Sequence, residues 1–250
     1  MAYTKLIPHH TPNAQVEEFS SRNAYRLTIP AGPSNKYRLA QLDDYAKTTR
    51  NRFPVRSPFH LSLSARASSD SIPGTWGLGL WNDPFGLSLG FGGNPFRLPA
   101  LPNAVWFFGA SEESYLSFSD NTPAQGFLAQ SFRSPKFHPL LILAGLVFPF
   151  SRKTARRLMG KVINEEGFRL NVDVTQWHRY SLDWREKRVS FEVDDLQVFE
   201  SDISPNPPLG LVVWIDNQYA AFTPEGKIGF GVLANPEPAW LEIKDLELKE

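Results

Sequence analysis

Residues Phe59–Ala67 read Phe-His-Leu-Ser-Leu-Ser-Ala-Arg-Ala, a strict alternation of apolar and polar or charged side chains. That period of two puts Phe59, Leu61, Leu63 and Ala65 on one face of an extended strand. His60, Ser62, Ser64 and Arg66 fall on the other. Such a strand must bury its apolar face against a second layer. Ala24–Ile29, Tyr37–Leu42, His178–Trp184, Arg188–Val193, Leu209–Ile215, Lys227–Val232 and Trp240–Leu248 also read as short strands with turn residues between them. Gly74–Leu80 and Ala104–Ala110 are apolar on both faces. Strands of that kind are buried on both sides or line an aromatic cleft. The stretch between them, Trp81 to Pro102, is dense in Gly, Pro, Asn and Phe and reads as a long loop.

The 21 Pro and 17 Gly are spread along the chain, which suits many turns and few helices. One segment has a helical period. Across Ser151–Ile163 the apolar residues Ala155, Leu158, Met159, Val162 and Ile163 form a stripe, and Ser151 is placed to cap the first turn. The expected fold is all-β: a two-sheet antiparallel sandwich of jelly-roll type with one amphipathic helix near 151–163. No repeat or composition shift divides the 250 residues. Residues 1–22 are polar and expected to be a flexible arm, with 23–250 as a single domain.

Lys and Arg number 26 and Asp and Glu 26, so there is no basic footprint for nucleic acid. The absence of Cys excludes disulfides and Cys-ligated metals. His9, His10, His60, His138 and His178 show no metal-ligand spacing, so no metal and no cofactor is expected. No nucleophile elbow, phosphate loop or dinucleotide fingerprint is present. The N-terminus has no apolar leader, and the apolar run Pro139–Phe150 is too short to span a bilayer. A cytoplasmic protein is the expectation.

Trp177-His178-Arg179-Tyr180-Ser181-Leu182-Asp183-Trp184, followed by Arg188–Asp195, resembles the strand hairpin of laminarinase-like glycoside hydrolases and laminin G-type domains, members of the concanavalin A-like lectin/glucanase superfamily. Gly74-Thr75-Trp76-Gly77-Leu78-Gly79-Leu80-Trp81 is similar to that family's cleft-bordering strand, and Trp240–Leu246 to its closing strand. The resemblance runs from about Phe59 to the C-terminus. It implies a sandwich with a carbohydrate site on its concave face and, in many members, a structural calcium, for which no Asp-rich loop is seen here.

The resemblance fails at the catalytic motif. Retaining members carry Glu-x-Asp-x-(x)-Glu on one strand, which sets a nucleophile and an acid/base on one face. The corresponding strand, Ala104–Ala110, holds Trp106, Phe107 and Phe108 and no carboxylate. Glu112 and Glu113 are adjacent, so on a strand they would point to opposite faces. Glu192-Val193-Asp194 mimics the motif but lies on the hairpin.

Three groups remain as site candidates. Trp76, Trp81 and Trp106 form either an aromatic platform or part of the core. Asn82 and Asp83 end a strand as ligand contacts or as turn formers. Trp214, Asp216, Asn217, Gln218 and Tyr219 end the apolar Leu209–Ile215 strand and form the preferred polar site. The favoured function is non-hydrolytic binding of a carbohydrate or an apolar, lipid-like small molecule. The alternative is a divergent glycoside hydrolase using Asp83, Glu112 or Asp216, or an enzyme on a lipid-like substrate with 139–163 as a lid. The apolar residues of 139–163 are expected to dock on a sheet, with Arg152, Lys153, Arg156, Arg157 and Lys161 facing outward. Engagement of a membrane surface through those five cations is the less favoured reading.

Overall fold

The computed structural model describes residues 6–19, 23–84, 100–120, 122–136 and 138–250. Two seven-stranded sheets form the framework of the fold. The front sheet runs in the order β1 (Ile7–His10), β4 (Leu39–Asp43), β13 (Gly210–Asp216), β6 (Thr75–Trp81), β7 (Ala104–Ala110), β8 (Gly126–Arg133) and β9 (Asn164–Arg169). The back sheet runs β12 (Leu196–Ser201), β11 (Arg188–Val193), β10 (His178–Arg185), β5 (Phe59–Ala67), β16 (Ala239–Lys249), β3 (Tyr25–Ile29) and β2 (Gln15–Glu18). Every ladder within the two sheets is antiparallel. A separate hairpin, β14 (Gln218–Phe222) and β15 (Ile228–Val232), follows β13. This is the expected antiparallel sandwich.

The alternation seen in Phe59–Ala67 sends Phe59, Leu61, Leu63 and Ala65 into the space between the sheets. There they meet Leu78, Phe107, Leu211 and Val213 of the front sheet and Tyr180, Leu182, Trp184 and Phe191 of the hairpin. Phe107 is edge-on to Tyr180 and to Phe191, with ring centroids 5.0 and 5.4 Å apart. The Trp184 indole N–H donates to Ser204 Oγ at 3.0 Å, so this large ring is buried without an orphaned donor.

The hairpin pair β11–β12 turns through Asp194 and Asp195, both with positive φ (50° and 63°). Asp tolerates this left-handed region better than most residues. The Asp194 carboxylate then binds the Arg179 backbone N–H (2.9 Å) and the His178 ring (2.6 Å), which holds the turn in place of a glycine.

Two expectations need correction. The segment expected to be a flexible arm supplies an edge strand to each sheet: β1 pairs with β4, and β2 with β3. Its short alternations, Ile7-Pro8-His9 and Gln15-Val16-Glu17, suit edges that are half covered and half wet. The region expected to hold one helix holds two, α1 (Pro139–Val147) and α2 (Arg152–Gly160). His138 caps α1, with its ring accepting from the Leu140 N–H, and Pro139 suits the first turn. Among the described residues no helix is long and apolar enough to cross a membrane.

Candidate functional site

The central strands of the front sheet, β6, β7 and β13, are buried on both faces because the sheet has two cores. Its outer face carries Trp81, Trp106, Phe108, Val212 and Trp214, packed with Tyr45, Phe53, Phe132 and Ile163. Trp81 and Trp214 stack at 5.8 Å, and Trp106 lies 5.9 Å from Trp81 and 5.6 Å from Trp214. The glycines of β6 make room for these rings. A Cβ on Gly77 would stand 2.7 Å from the Trp214 ring, and one on Gly79 2.6 Å from Trp106 Cβ. Each indole N–H is used internally: Trp81 to Tyr45 Oη (2.6 Å), Trp214 to Thr75 Oγ1 (3.0 Å) and Trp106 to Gln130 Oε1 (3.4 Å). Of the expected aromatic set, Trp81 and Trp106 lie on this face together with Trp214, but the three stack on one another and are buried. Trp76 sits one pleat away and faces the inter-sheet core, stacked on Phe127 at 4.8 Å.

Asp216 closes one end of this face. It is 6% exposed. Thr75 Oγ1 donates to its Oδ1 at 2.8 Å, the N–H groups of Thr75 and Gln218 approach the same oxygen, and Tyr37 Oη donates to Oδ2 at 3.3 Å. Burial outweighs these bonds and pushes its carboxyl up to about 7. Near neutrality Asp216 is thus a carboxylic acid for a large part of the time, able to donate as well as accept.

The neighbouring polar candidates have structural duties. The Asn217 side chain accepts from the Arg38 N–H and donates to the carbonyls of Lys36 and Leu233. Asn82 donates to Leu101 O and accepts from the Asn103 N–H, which ties together the chain ends on either side of residues 85–99. Those residues, the middle of the expected 81–102 loop, lie outside the described set. Gln218 and Tyr219 are half-buried on β14, beside Asp216. Asp83 follows β6 at its far end, with positive φ and its carbonyl bonded by Arg50 at 2.6 Å. Glu112 is exposed in the turn after β7.

Sequence reading missed Tyr37 and Thr75, which complete the Asp216 site, and Glu165 on β9. Glu165 accepts from the Ser117 hydroxyl and the Ser119 N–H, and burial raises its carboxyl above the ordinary value. Among the described residues its Oε2 is buried without a hydrogen-bond partner. The Glu165–Glu166 pair gave no signal, because nothing in the sequence marks which of two adjacent acids turns inward.

Strand register sets how far apart the acids of this face lie. Asp216 aligns with Thr75, Ala110 and Gly126, whereas Glu165 aligns with Phe132, Ala104, Trp81 and Gly210. Four strand spacings alone separate them by roughly 20 Å. Asp43, opposite Val212, is four residues along and one strand over from Asp216, roughly 14 Å away. Its Oδ1 is taken by the N–H groups of Tyr45 and Ala46. Acid pairs in glycosidases stand about 5–9.5 Å apart. Among the described residues no three His, Asp or Glu side chains converge on a possible metal site. On the back sheet an open groove of about 300 Å³ is lined by Asp183, Arg185, Arg188, Ser190 and Glu200, whose charges pair with one another.

No protein-family model and no curated protein matches this sequence. Solved structures similar to the chain include LamAcat from Zobellia galactanivorans, at 13% identity over 92% of this chain and 78% of that one, with a TM-score of 0.49. They also include a glycoside hydrolase family 16 endo-glucanase from Bacteroides ovatus, at 11% identity over 98% of this chain and 93% of that one, TM-score 0.49. The catalytic domain of an endo-1,3-beta-glucanase (laminarinase) from Thermotoga petrophila is a third, at 12% identity over 92% and 81%, TM-score 0.43.

Proposed function

We propose that this protein binds a ligand without cleaving it, at the Trp214–Asp216 end of the front sheet's outer face. The ligand class is a carbohydrate or an apolar small molecule carrying a hydroxyl. The observation that carries this reading is the chemistry of Asp216: a buried carboxylic acid beside an aromatic stack, with Asp43 and Glu165, the other buried acids of that face placed by strand register, outside glycosidase range. A protonated carboxyl can donate to and accept from one hydroxyl. The Trp stack is buried, so the C–H surface of a sugar or the skeleton of an apolar alcohol would lie on the half-buried rings of Tyr37 and Tyr219 beside Asp216. Tyr37 and Gln218, both half-buried, are the groups a ligand displaces to reach Asp216.

The same raised carboxyl favours one second reading, in which Asp216 is a general acid for a reaction that needs no paired carboxylate.

Indole fluorescence titration with laminari-oligosaccharides and with an apolar alcohol tests the binding reading. A saturable change for one of the two ligand classes, weakened about tenfold in Asp216→Asn, is expected. No response to either class, or turnover of the added compound, overturns it.

A further inference from the structure

Segment 139–147, Pro-Leu-Leu-Ile-Leu-Ala-Gly-Leu-Val, contains no polar side chain. A helix that is apolar all round belongs in a core or in a membrane. α1 is not in the core. Ala144 is its one buried residue, and a Cβ added at Gly145 would meet nothing within 4 Å. Ile142, Leu143 and Leu146 are 56, 44 and 66% exposed, and Phe148 and Phe150, just beyond, are 38 and 90% exposed. The expectation that these residues dock on a sheet is therefore overturned. α1 leans on α2, and Phe148 touches Phe222 edge-on at 6.4 Å.

Charge identifies what covers this face. From Arg133 to Asn164 the chain has seven Lys or Arg and no Asp or Glu. Arg156 is internal, 2% exposed, and bonded to Asp120 (2.6 Å) and to the carbonyls of Phe222 and Ser117. It clamps α2 to the domain instead of facing outward as expected. Arg133, Lys136, Arg152, Lys153, Arg157 and Lys161 are exposed. Among the described residues none of these six forms an ion pair with a carboxylate, although Lys153 is near enough to Glu225 of the β14–β15 turn to act on its charge.

We infer that the α1–α2 hairpin is a membrane-surface anchor whose partner is an anionic lipid bilayer. Nine helical residues span about 14 Å, against a hydrocarbon core of about 30 Å, so α1 lies in the interface and does not cross it. Leu146, Phe148 and Phe150 enter the acyl boundary while the six cations meet lipid headgroups. The buried Arg156 keeps the hairpin fixed to the sandwich.

Co-sedimentation with vesicles tests this, using phosphatidylcholine alone and an equimolar mixture with phosphatidylserine. Binding to the mixed vesicles, falling with added salt and weak on phosphatidylcholine alone, is expected. Each cation contributes about a fivefold factor in partitioning, so Arg152→Glu with Arg157→Glu lowers it at least about 30-fold. Leu146→Ser with Phe150→Ser abolishes binding while the circular dichroism stays that of the wild type, since these side chains are already in water. The inference is overturned if the mixed vesicles bind no protein, or if either double variant binds like the wild type. It is equally overturned if the apolar double variant instead dissolves a concentration-dependent dimer of a protein that ignores lipid. That result assigns the face to a second copy of the chain.

Discussion

Thr75 Oγ1 donates to Asp216 Oδ1 at 2.8 Å while accepting from the Trp214 indole at 3.0 Å, so one hydroxyl links the aromatic stack to the buried acid. The link passes between neighbouring strands at a fixed register, Asp216 opposite Thr75. It ties the position of the Asp216 carboxyl to that of the Trp214 ring.

The folded protein holds the Asp216 proton up to about pH 7, whereas the ordinary value is 3.8. Between those values the folded state binds more protons than the unfolded state, so stability falls as pH rises from about 4 to about 7 and then levels off. The loss at higher pH is of order 4 kcal/mol. Glu165, also raised by burial, acts in the same direction. Urea unfolding at about pH 5 and about pH 8 measures this. Asp216→Asn is expected to flatten the difference and to be the more stable protein at the higher pH. An unchanged pH dependence in that variant would show that Asp216 does not titrate as proposed.

Trp106 sits between Trp81, Trp214 and Phe108 with its ring buried. Truncating such a ring leaves a cavity that neighbours only partly fill. Trp106→Ala should therefore lower the unfolding free energy by about 3–5 kcal/mol. A loss below about 1 kcal/mol would mean that the outer face is loosely packed.

Asp195 occupies the second position of the β11–β12 turn at φ 63°, 84% exposed, with Arg179 only at 4.0 Å. Two-residue hairpin turns of this kind favour glycine there. Asp195→Gly should raise stability by about 0.5–1 kcal/mol. Asp194→Gly should not, because the Asp194 carboxylate holds the Arg179 N–H and the His178 ring. Thermal melting of the two variants separates these outcomes.

Phe59–Ala67 could be placed from its alternation because one of its faces is dry and the other wet. Gly74–Leu80 and Ala104–Ala110 could be recognised as apolar on both faces for the opposite reason, since no charged residue interrupts them. Which Trp faces which core was also present in the pleat: Trp76 is an odd number of residues from Trp81, so the two point to opposite faces. The destination of a helix face is different. The apolar residues of 139–150 state only that they avoid water, and the choice between a sheet and a lipid surface depends on where Arg156 pins the hairpin. That contact joins residues 36 positions apart, and no local pattern announces it. Asn82 and Asn217, whose side chains bond neighbouring backbone, could not be sorted for a related reason. A polar side chain at a strand end looks the same in sequence whether it waits for a ligand or ties down a neighbouring loop.

Reducing-end release from laminarin, followed alongside indole fluorescence in the same sample, tests binding without cleavage most directly. The predicted result is a saturable fluorescence change on binding laminarin or, where the ligand is an apolar alcohol, no fluorescence change with laminarin, and in either case no release of reducing ends. Release that disappears in Asp216→Asn or in Glu112→Gln would contradict it and assign the front sheet to a divergent hydrolase.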